Sequence, residues 1–150
     1  MRNMNVREYL MDSCIPIRLA CINVDGWPIT VSLWYVYLEE KIFCATQRNA
    51  KVIEYLSKNP KCGFEVAGDL PPYRGVRGWG YAKLDKVRGV EILYMLIKKY
   101  LRDEKSSLAN FLLGRNENEM AIEITPLSTF SYDYSDRMKD IVVNTKGSLI

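Results

Sequence analysis

Hydrophobic residues in this chain fall mostly into short alternating runs bounded by turn residues, the period-two signature of β-strands, and helical spacing replaces that pattern in only a few places. Residues 5–11 carry a brief, weakly helical pattern, which Ile15-Pro16 ends because the residue before a proline is driven out of the helical region. Residues 18–24, with Leu19-Ala20-Cys21-Ile22 at their centre, predict a buried strand, and Asp25-Gly26 supplies the left-handed backbone that a tight hairpin needs. A long strand is predicted at 29–38. Its faces are Ile29, Val31, Leu33, Tyr35 and Tyr37 against Thr30, Ser32, Trp34, Val36 and Leu38, so both are expected to be largely covered. Glu39-Glu40 turns the chain into a shorter strand at 41–45.

The character then changes. Thr46 or Asn49 is expected to cap a helix whose apolar positions Val52, Ile53 and Leu56 recur at helical spacing and which Asn59-Pro60 stops. A fourth strand follows at 62–66, a loop at 68–72, and a fifth strand at 75–84, with Val76, Gly78, Gly80, Ala82 and Leu84 on one face and Arg77, Trp79, Tyr81 and Lys83 on the other. Amphipathic patterns predict helices at 88–101 and at 107–113 before Gly114, both packed on the sheet. A sixth strand is expected at 120–125, interrupted by Pro126 and continued in extended form over 127–134, with a frayed polar tail from 136 to 150. Six strands joined mainly by hairpins, with one helix inserted after the third, predict a small antiparallel barrel in a mainly β chain with helices, of the α+β class.

Composition narrows the function classes. At 150 residues, 48% hydrophobic and 26% charged, the chain matches one packed domain spanning 1–150 and excludes a disordered or collagenous protein. A net charge of +3, from 21 Lys and Arg against 18 Asp and Glu, is too balanced for general attraction to a polyanion, so no nucleic-acid partner is expected; a local basic site stays open. The absence of histidine removes Ser-His-Asp and Cys-His catalysis and every imidazole zinc site, and no side chain stands out as a catalytic acid, base or nucleophile. Cys14, Cys21, Cys44 and Cys62 form no C-x-x-C pair, so no metal is expected, and the last three lie in apolar runs as core residues. With no apolar N-terminal signal and no stretch near the roughly 18 residues of a membrane span, a cytoplasmic protein without a membrane partner is the expectation.

Two segments carry candidate chemistry. Phe43-Cys44-Ala45-Thr46-Gln47-Arg48-Asn49-Ala50-Lys51 gathers a hydroxyl, two amides, two cations and unpaired backbone N–H groups around a helix start, which is the makeup of an anion site; a capped helix carrying two solvated cations is the alternative. Pro71-Pro72-Tyr73-Arg74-Gly75-Val76-Arg77-Gly78-Trp79-Gly80 sets arginines and aromatics among glycines that admit a flat ring, and reads equally as a bent barrel strand. Its glycine spacing does not match G-x-G-x-x-G, which excludes a Rossmann nucleotide site.

The succession of Val24-Asp25-Gly26-Trp27-Pro28, Thr46-x-x-Asn49-x-Lys51, Leu56-Ser57-Lys58-Asn59-Pro60 and Pro72-Tyr73-Arg74-Gly75-Val76 before Gly80-Tyr81-Ala82 resembles the pyridoxamine 5′-phosphate oxidase-like family of flavin-binding split barrels. The resemblance implies a six-stranded antiparallel split β-barrel and a homodimer binding FMN at its interface. It implies that Val31, Ser32, Leu33 and Trp34 lie beside the flavin ring and that Ala45, Thr46, Asn49 and Lys51 hold the phosphate. Relatives often carry a cation just before that lysine, where this chain has Ala50, so Arg48 is the expected substitute. Arg74 and Arg77 would reach the cofactor from the partner subunit, and Tyr73 with Arg74 would orient a small-molecule substrate. The namesake's basic and aromatic tail signature is missing, since no tryptophan follows Trp79. The resemblance therefore implies an FMN-dependent oxidoreductase acting on some other small molecule; a flavin carrier without turnover and a reductase using a deazaflavin coenzyme are the alternatives.

Overall fold

The computed structural model describes residues 4–103 and 105–140. Among these, seven strands and four α-helices follow in the order α1 (Val6–Asp12), β1 (Ile17–Ile22), β2 (Pro28–Leu33), β3 (Val36–Leu38), β4 (Lys41–Gln47), α2 (Lys51–Lys58), β5 (Lys61–Ala67), β6 (Arg74–Asp85), α3 (Gly89–Tyr100), α4 (Ser107–Leu113) and β7 (Glu119–Asp133). The strands form one antiparallel sheet in the order β2-β1-β5-β6-β7-β4-β3.

The strand predicted over 29–38 is two strands, which raises the count from six to seven, and the break at Trp34-Tyr35 sends its halves to opposite edges of the sheet. Val36 is three residues beyond Leu33, so the edges stand no more than about 11 Å apart there. The sheet must therefore coil almost onto itself, leaving a split between β2 and β3. The chain departs from strand geometry at this point because other groups satisfy its backbone. The Tyr35 N–H donates to the Tyr100 hydroxyl at 3.2 Å, and Lys99 Nζ donates to the Tyr35 carbonyl at 3.0 Å. The Tyr35 ring is completely buried, its hydroxyl donating to the Leu10 carbonyl at 2.8 Å. Only part of the expected double-sided coverage is found. Ile29, Val31 and Leu33 pack against the barrel core and Trp34, Val36 and Leu38 against a second core, whereas Thr30 and Ser32 are exposed.

The barrel interior is filled by Ile17, Leu19, Cys21, Ile42, Cys44, Phe64, Val66, Val76, Ile122 and Ile124, and α1 and α2 contribute Leu10, Val52, Ile53 and Leu56. Outside the barrel, Ile92 and Leu96 of α3 cover Phe43 of β4 and Ala121 of β7, and Ala109 joins α4 to Leu93 and Ile97. The expected faces of β6 are found, with Val76, Gly78, Gly80 and Ala82 inward and Arg77, Trp79, Tyr81 and Lys83 outward. Pro126 bends β7 without ending it, because it sits opposite Gly80 and Leu127 is carried as a bulge residue between Trp79↔Ser128 and Gly80↔Pro126. Of the expected frayed tail, 141–150 lies outside the described residues, and Ser135–Met138 forms a short 3-10 turn.

The β3–β4 turn takes Glu39 and Glu40 through positive φ, 56° and 61°, a geometry in which side chains crowd the following carbonyl. Glu40 meets Arg7 at 3.4 Å, but both side chains are two-thirds exposed and water screens the pair. Glu40→Gly is expected to raise stability by about 0.5–1 kcal/mol, read from the urea midpoint; an unchanged or lowered midpoint would mean that the contacts to Arg7 and Tyr37 outweigh the backbone strain.

Candidate functional site

Where the sheet splits, β2 and β4 open a slot of about 350 Å³, which α3 and α4 cover from the outside. Ser32, Leu33 and Trp34 form one wall and Ala45, Thr46 and Gln47 another, with Leu93, Leu96, Leu108 and Leu112 opposite. Residues 45–47 are only half-buried because they run past the end of the packed core, where Ile42, Phe43 and Cys44 are fully enclosed. The Trp34 ring is held by stacking on Tyr100, with centroids 5.0 Å apart and planes 5° from parallel, and the Tyr100 hydroxyl is anchored on the Ile15 carbonyl at 2.9 Å. One aromatic wall of the slot is thereby fixed before any ligand arrives.

Through Gln47 and Arg115 the slot continues into a polar hollow of about 380 Å³ lined by Gln47, Arg48, Asn49, Arg115 and Asn118. Two cations and three amides, with no carboxylate among them, suit an anion. Arg48 is tied to the segment ahead of β7, its guanidinium donating to the Glu117 carbonyl at 3.1 Å and its backbone N–H to Asn118 at 2.8 Å. The Arg115 guanidinium lies 5.5 Å from the centre of the Phe111 ring. At the inner end Glu119 is buried at 5% exposure, accepting from Gln47 Nε2 at 2.5 Å through Oε1, while its Oε2 has no hydrogen-bond partner among the described residues. Burial raises the pKa of this carboxyl, against the pull of the Gln47 hydrogen bond and the Arg115 charge. Gly89 lets α3 approach this point, since a Cβ there would lie 2.3 Å from the Glu119 carbonyl oxygen.

The residues singled out in the sequence divide into three groups. Ser32, Leu33, Trp34, Ala45, Thr46, Arg48 and Asn49 are brought together along this one cleft. Val31 lies in the same strand but packs on the barrel core and does not line the cleft. Lys51 stands on the first turn of α2 outside the cleft wall, paired with Glu54 at 3.3 Å. Neither Thr46 nor Asn49 caps α2: Thr46 is still paired in β4, and the N-cap is Ala50 with no side-chain bond. Tyr73, Arg74 and Arg77 lie elsewhere on the chain. Arg74 borders a shallow hollow beside α1 with Tyr9 and Pro72, and the Arg77 guanidinium sits 4.6 Å from the Tyr132 ring centre on the outer sheet face. Sequence reading missed Gln47 as a partner of Glu119, and missed Arg115 and Asn118 altogether. They reach the site only because Gln47 registers with Glu119 across the β4–β7 pair.

A larger hollow, about 420 Å³, lies on the outer face of β1, β5 and β6 among Ala20, Gly63, Trp79, Tyr81 and Leu127. Its lining is mainly apolar, and Lys61 is the one charged residue in it among the described residues, so it offers an anion less than the hollow at Arg48 and Arg115 does. Cys21, Cys44 and Cys62 are buried free thiols, and burial pushes all three above the ordinary thiol range, which makes them poor nucleophiles. Among the described residues no three His, Cys, Asp or Glu gather as a metal site, and no helix is long and apolar enough to cross a membrane.

No family model matches the sequence, and no curated protein matches it. Solved structures do. The conserved hypothetical protein Rv2991 from Mycobacterium tuberculosis superposes with a TM-score of 0.76 at 18% identity, covering 99% of this chain and 93% of its own. An F420 reductase gives 0.69 at 16% identity, covering 85% and 98%. A putative pyridoxamine 5′-phosphate oxidase from Listeria innocua gives 0.59 at 16%, covering 77% and 86%. Likeness at this identity speaks for the fold, and it agrees with the resemblance carried by the sequence motifs: the chain has the split-barrel fold of pyridoxamine 5′-phosphate oxidase-like proteins.

Proposed function

We propose that the cleft between β2, β4 and α3 holds FMN and that the protein is a flavin-dependent oxidoreductase acting on a small molecule. The carrying observation is the junction of an apolar slot with a cationic hollow at the β4–α2 turn, which matches a flat ring bearing an anionic tail. In this reading Leu33 and the stacked Trp34 flank the ring, while Ser32, Ala45 and Thr46 offer polar and backbone groups at its edge. Arg48, Asn49 and Arg115 grip the phosphate, and Lys51 adds a weaker pull because Glu54 already engages it. Bound flavin supplies the hydride and electron transfer, so the absence of histidine is no obstacle.

A second copy of the chain completes the proposal. Trp79, Tyr81, Leu127 and Phe130 are 45–62% exposed on one outer face, an apolar patch of the kind that partners cover. Arg77 lies beside them, and a homodimer formed there carries Arg77, with Arg74 and Tyr73 on the same strand and its approach, toward the neighbouring protomer's ligand. The fold likeness to an F420 reductase favours one second reading, a deazaflavin coenzyme in the same cleft.

Titration with FMN and with riboflavin tests the assignment. FMN should bind at least about tenfold more tightly than riboflavin, since one charge-assisted hydrogen bond to phosphate is worth about 1.5–3 kcal/mol. Equal affinity would remove the phosphate site, and no binding of either would remove FMN. Bleaching of the bound flavin by NAD(P)H would then separate an oxidoreductase from a carrier, which would keep its colour.

A further inference from the structure

The link between β2 and β3 leaves the sheet at Trp34-Tyr35, and two consecutive residues at the end of α3 take up the backbone groups freed there. Lys99 Nζ donates to the Tyr35 carbonyl at 3.0 Å and lies 3.9 Å from the centre of the Tyr35 ring. The Tyr100 hydroxyl accepts from the Tyr35 N–H at 3.2 Å and donates to the Ile15 carbonyl at 2.9 Å, which pins it to the segment ahead of β1 as well. Its ring lies parallel to that of Trp34, with centroids 5.0 Å apart. Trp34 lines the slot, whereas Lys99 and Tyr100 do not, so they reach a ligand there only through Trp34. We propose that Tyr100 is a positioning residue for ring binding, which holds Trp34 in the slot wall before a ligand arrives. The consequence for affinity rests on the reading of the cleft as a flavin site; the placement of Trp34 in the empty protein does not.

Trp34 needs such a hold because of where it stands. It belongs to neither β2 nor β3 and enters no strand pair, and its ring is only partly buried against the cluster of Phe43, Ile92 and Leu96. A tryptophan placed in this way and left without a stacking partner samples other rotamers, and a ligand that needs one of them must immobilise it on binding. Stacking in the free protein removes that loss in advance. The benefit goes to the ring part of a ligand. Arg48 and Arg115 line the hollow beyond Gln47 and act on its anionic end, so loss of Tyr100 should weaken FMN and riboflavin alike. The Tyr100 ring carries this role, and its hydroxyl secures the β2–β3 link.

Tyr100→Leu removes the ring and the hydroxyl together, and Tyr100→Phe removes the hydroxyl alone. With Trp27 and Trp79, each half or more exposed, changed to phenylalanine, Trp34 is the one remaining tryptophan. In that ligand-free background acrylamide should quench Trp34 more strongly once Tyr100→Leu is added, and no more strongly with Tyr100→Phe. In the otherwise native chain Tyr100→Leu should weaken FMN and riboflavin equally, by roughly threefold to tenfold, while Tyr100→Phe binds both within about twofold of wild type. A purely structural role would lower the urea midpoints and leave quenching and the affinity of the folded variants unchanged, which would overturn the assignment. So would phenylalanine behaving like leucine, or a loss confined to FMN. Wild type binding neither flavin would overturn the flavin reading, and the quenching series would still decide whether Tyr100 positions Trp34. Should Tyr100→Leu not fold, Tyr100→Phe decides alone: wild-type quenching and riboflavin affinity uphold the stack, and a change in either overturns it.

Discussion

Gly80→Ala is expected to destabilise the protein by about 3 kcal/mol or more, a larger effect than any surface substitution would produce. Gly80 lies in the middle of β6, paired with Cys62 on one side and Pro126 on the other. An added Cβ would stand 2.0 Å from the Thr125 carbonyl oxygen and 2.9 Å from the Pro126 Cα, both backbone atoms that no rotamer change can move. Relief would require β7 to retreat from β6 at the bulge where the sheet bends, disturbing the pairing that places Ile122 and Ile124 in the core. Gly63→Ala, on the adjacent strand, is the control: its Cβ would meet nothing closer than 3.7 Å, and it should cost less than about 1 kcal/mol. Urea unfolding midpoints of the two variants check this, and similar midpoints would show that the sheet yields at the bulge.

Arg48→Ala and Arg115→Ala are each expected to weaken FMN binding about tenfold, and the double variant about a hundredfold, while riboflavin affinity barely changes. Both cations line the hollow that continues the slot, and among the described residues no carboxylate shares that lining with them. Lys51→Ala should have a smaller effect, because its ammonium is 3.3 Å from Glu54, and Lys58→Ala, at the far end of α2, should have none. Isothermal titration with the two flavins reads the difference directly. If riboflavin affinity drops as much as FMN affinity, the arginines shape the slot instead of gripping a phosphate; if Lys51 proves dominant, the phosphate sits against α2 and Glu54 releases its partner.

The sequence was legible wherever local chemistry and tertiary packing agree. Gly26 takes the positive φ of 85° that its place after Asp25 suggests, α2 and α3 occupy the stretches whose apolar residues recur at helical spacing, and β6 presents the two faces that alternation assigns to it. Trp34 and Tyr35 show where such reading ends. Both are strand formers in a run of strand formers, and what interrupts them is a lysine and a tyrosine more than sixty residues later that take up the Tyr35 backbone groups. The cap of α2 failed for a related reason: Thr46 is a good cap by type, but its backbone is already paired with Met120. Half of the cleft was legible because Ser32 to Trp34 and Ala45 to Asn49 are each continuous in sequence. The other half, Arg115, Asn118 and Glu119, follows a helix that looked like covering for the sheet, and only strand register carries it to the site.

That register also sets an order of events during synthesis. Ala45 pairs with Ala121, 76 positions later, so the outer edge of β4 emerges from the ribosome with no strand to meet it. At about 5–20 residues per second, it waits roughly 4 to 15 seconds for that strand. The nascent chain can join β1 to β2 and β5 to β6 in the meantime, yet the pocket walls that come from opposite ends of the chain close only with the arrival of the last strand, which makes ligand capture a property of the finished polypeptide and not of any growing fragment.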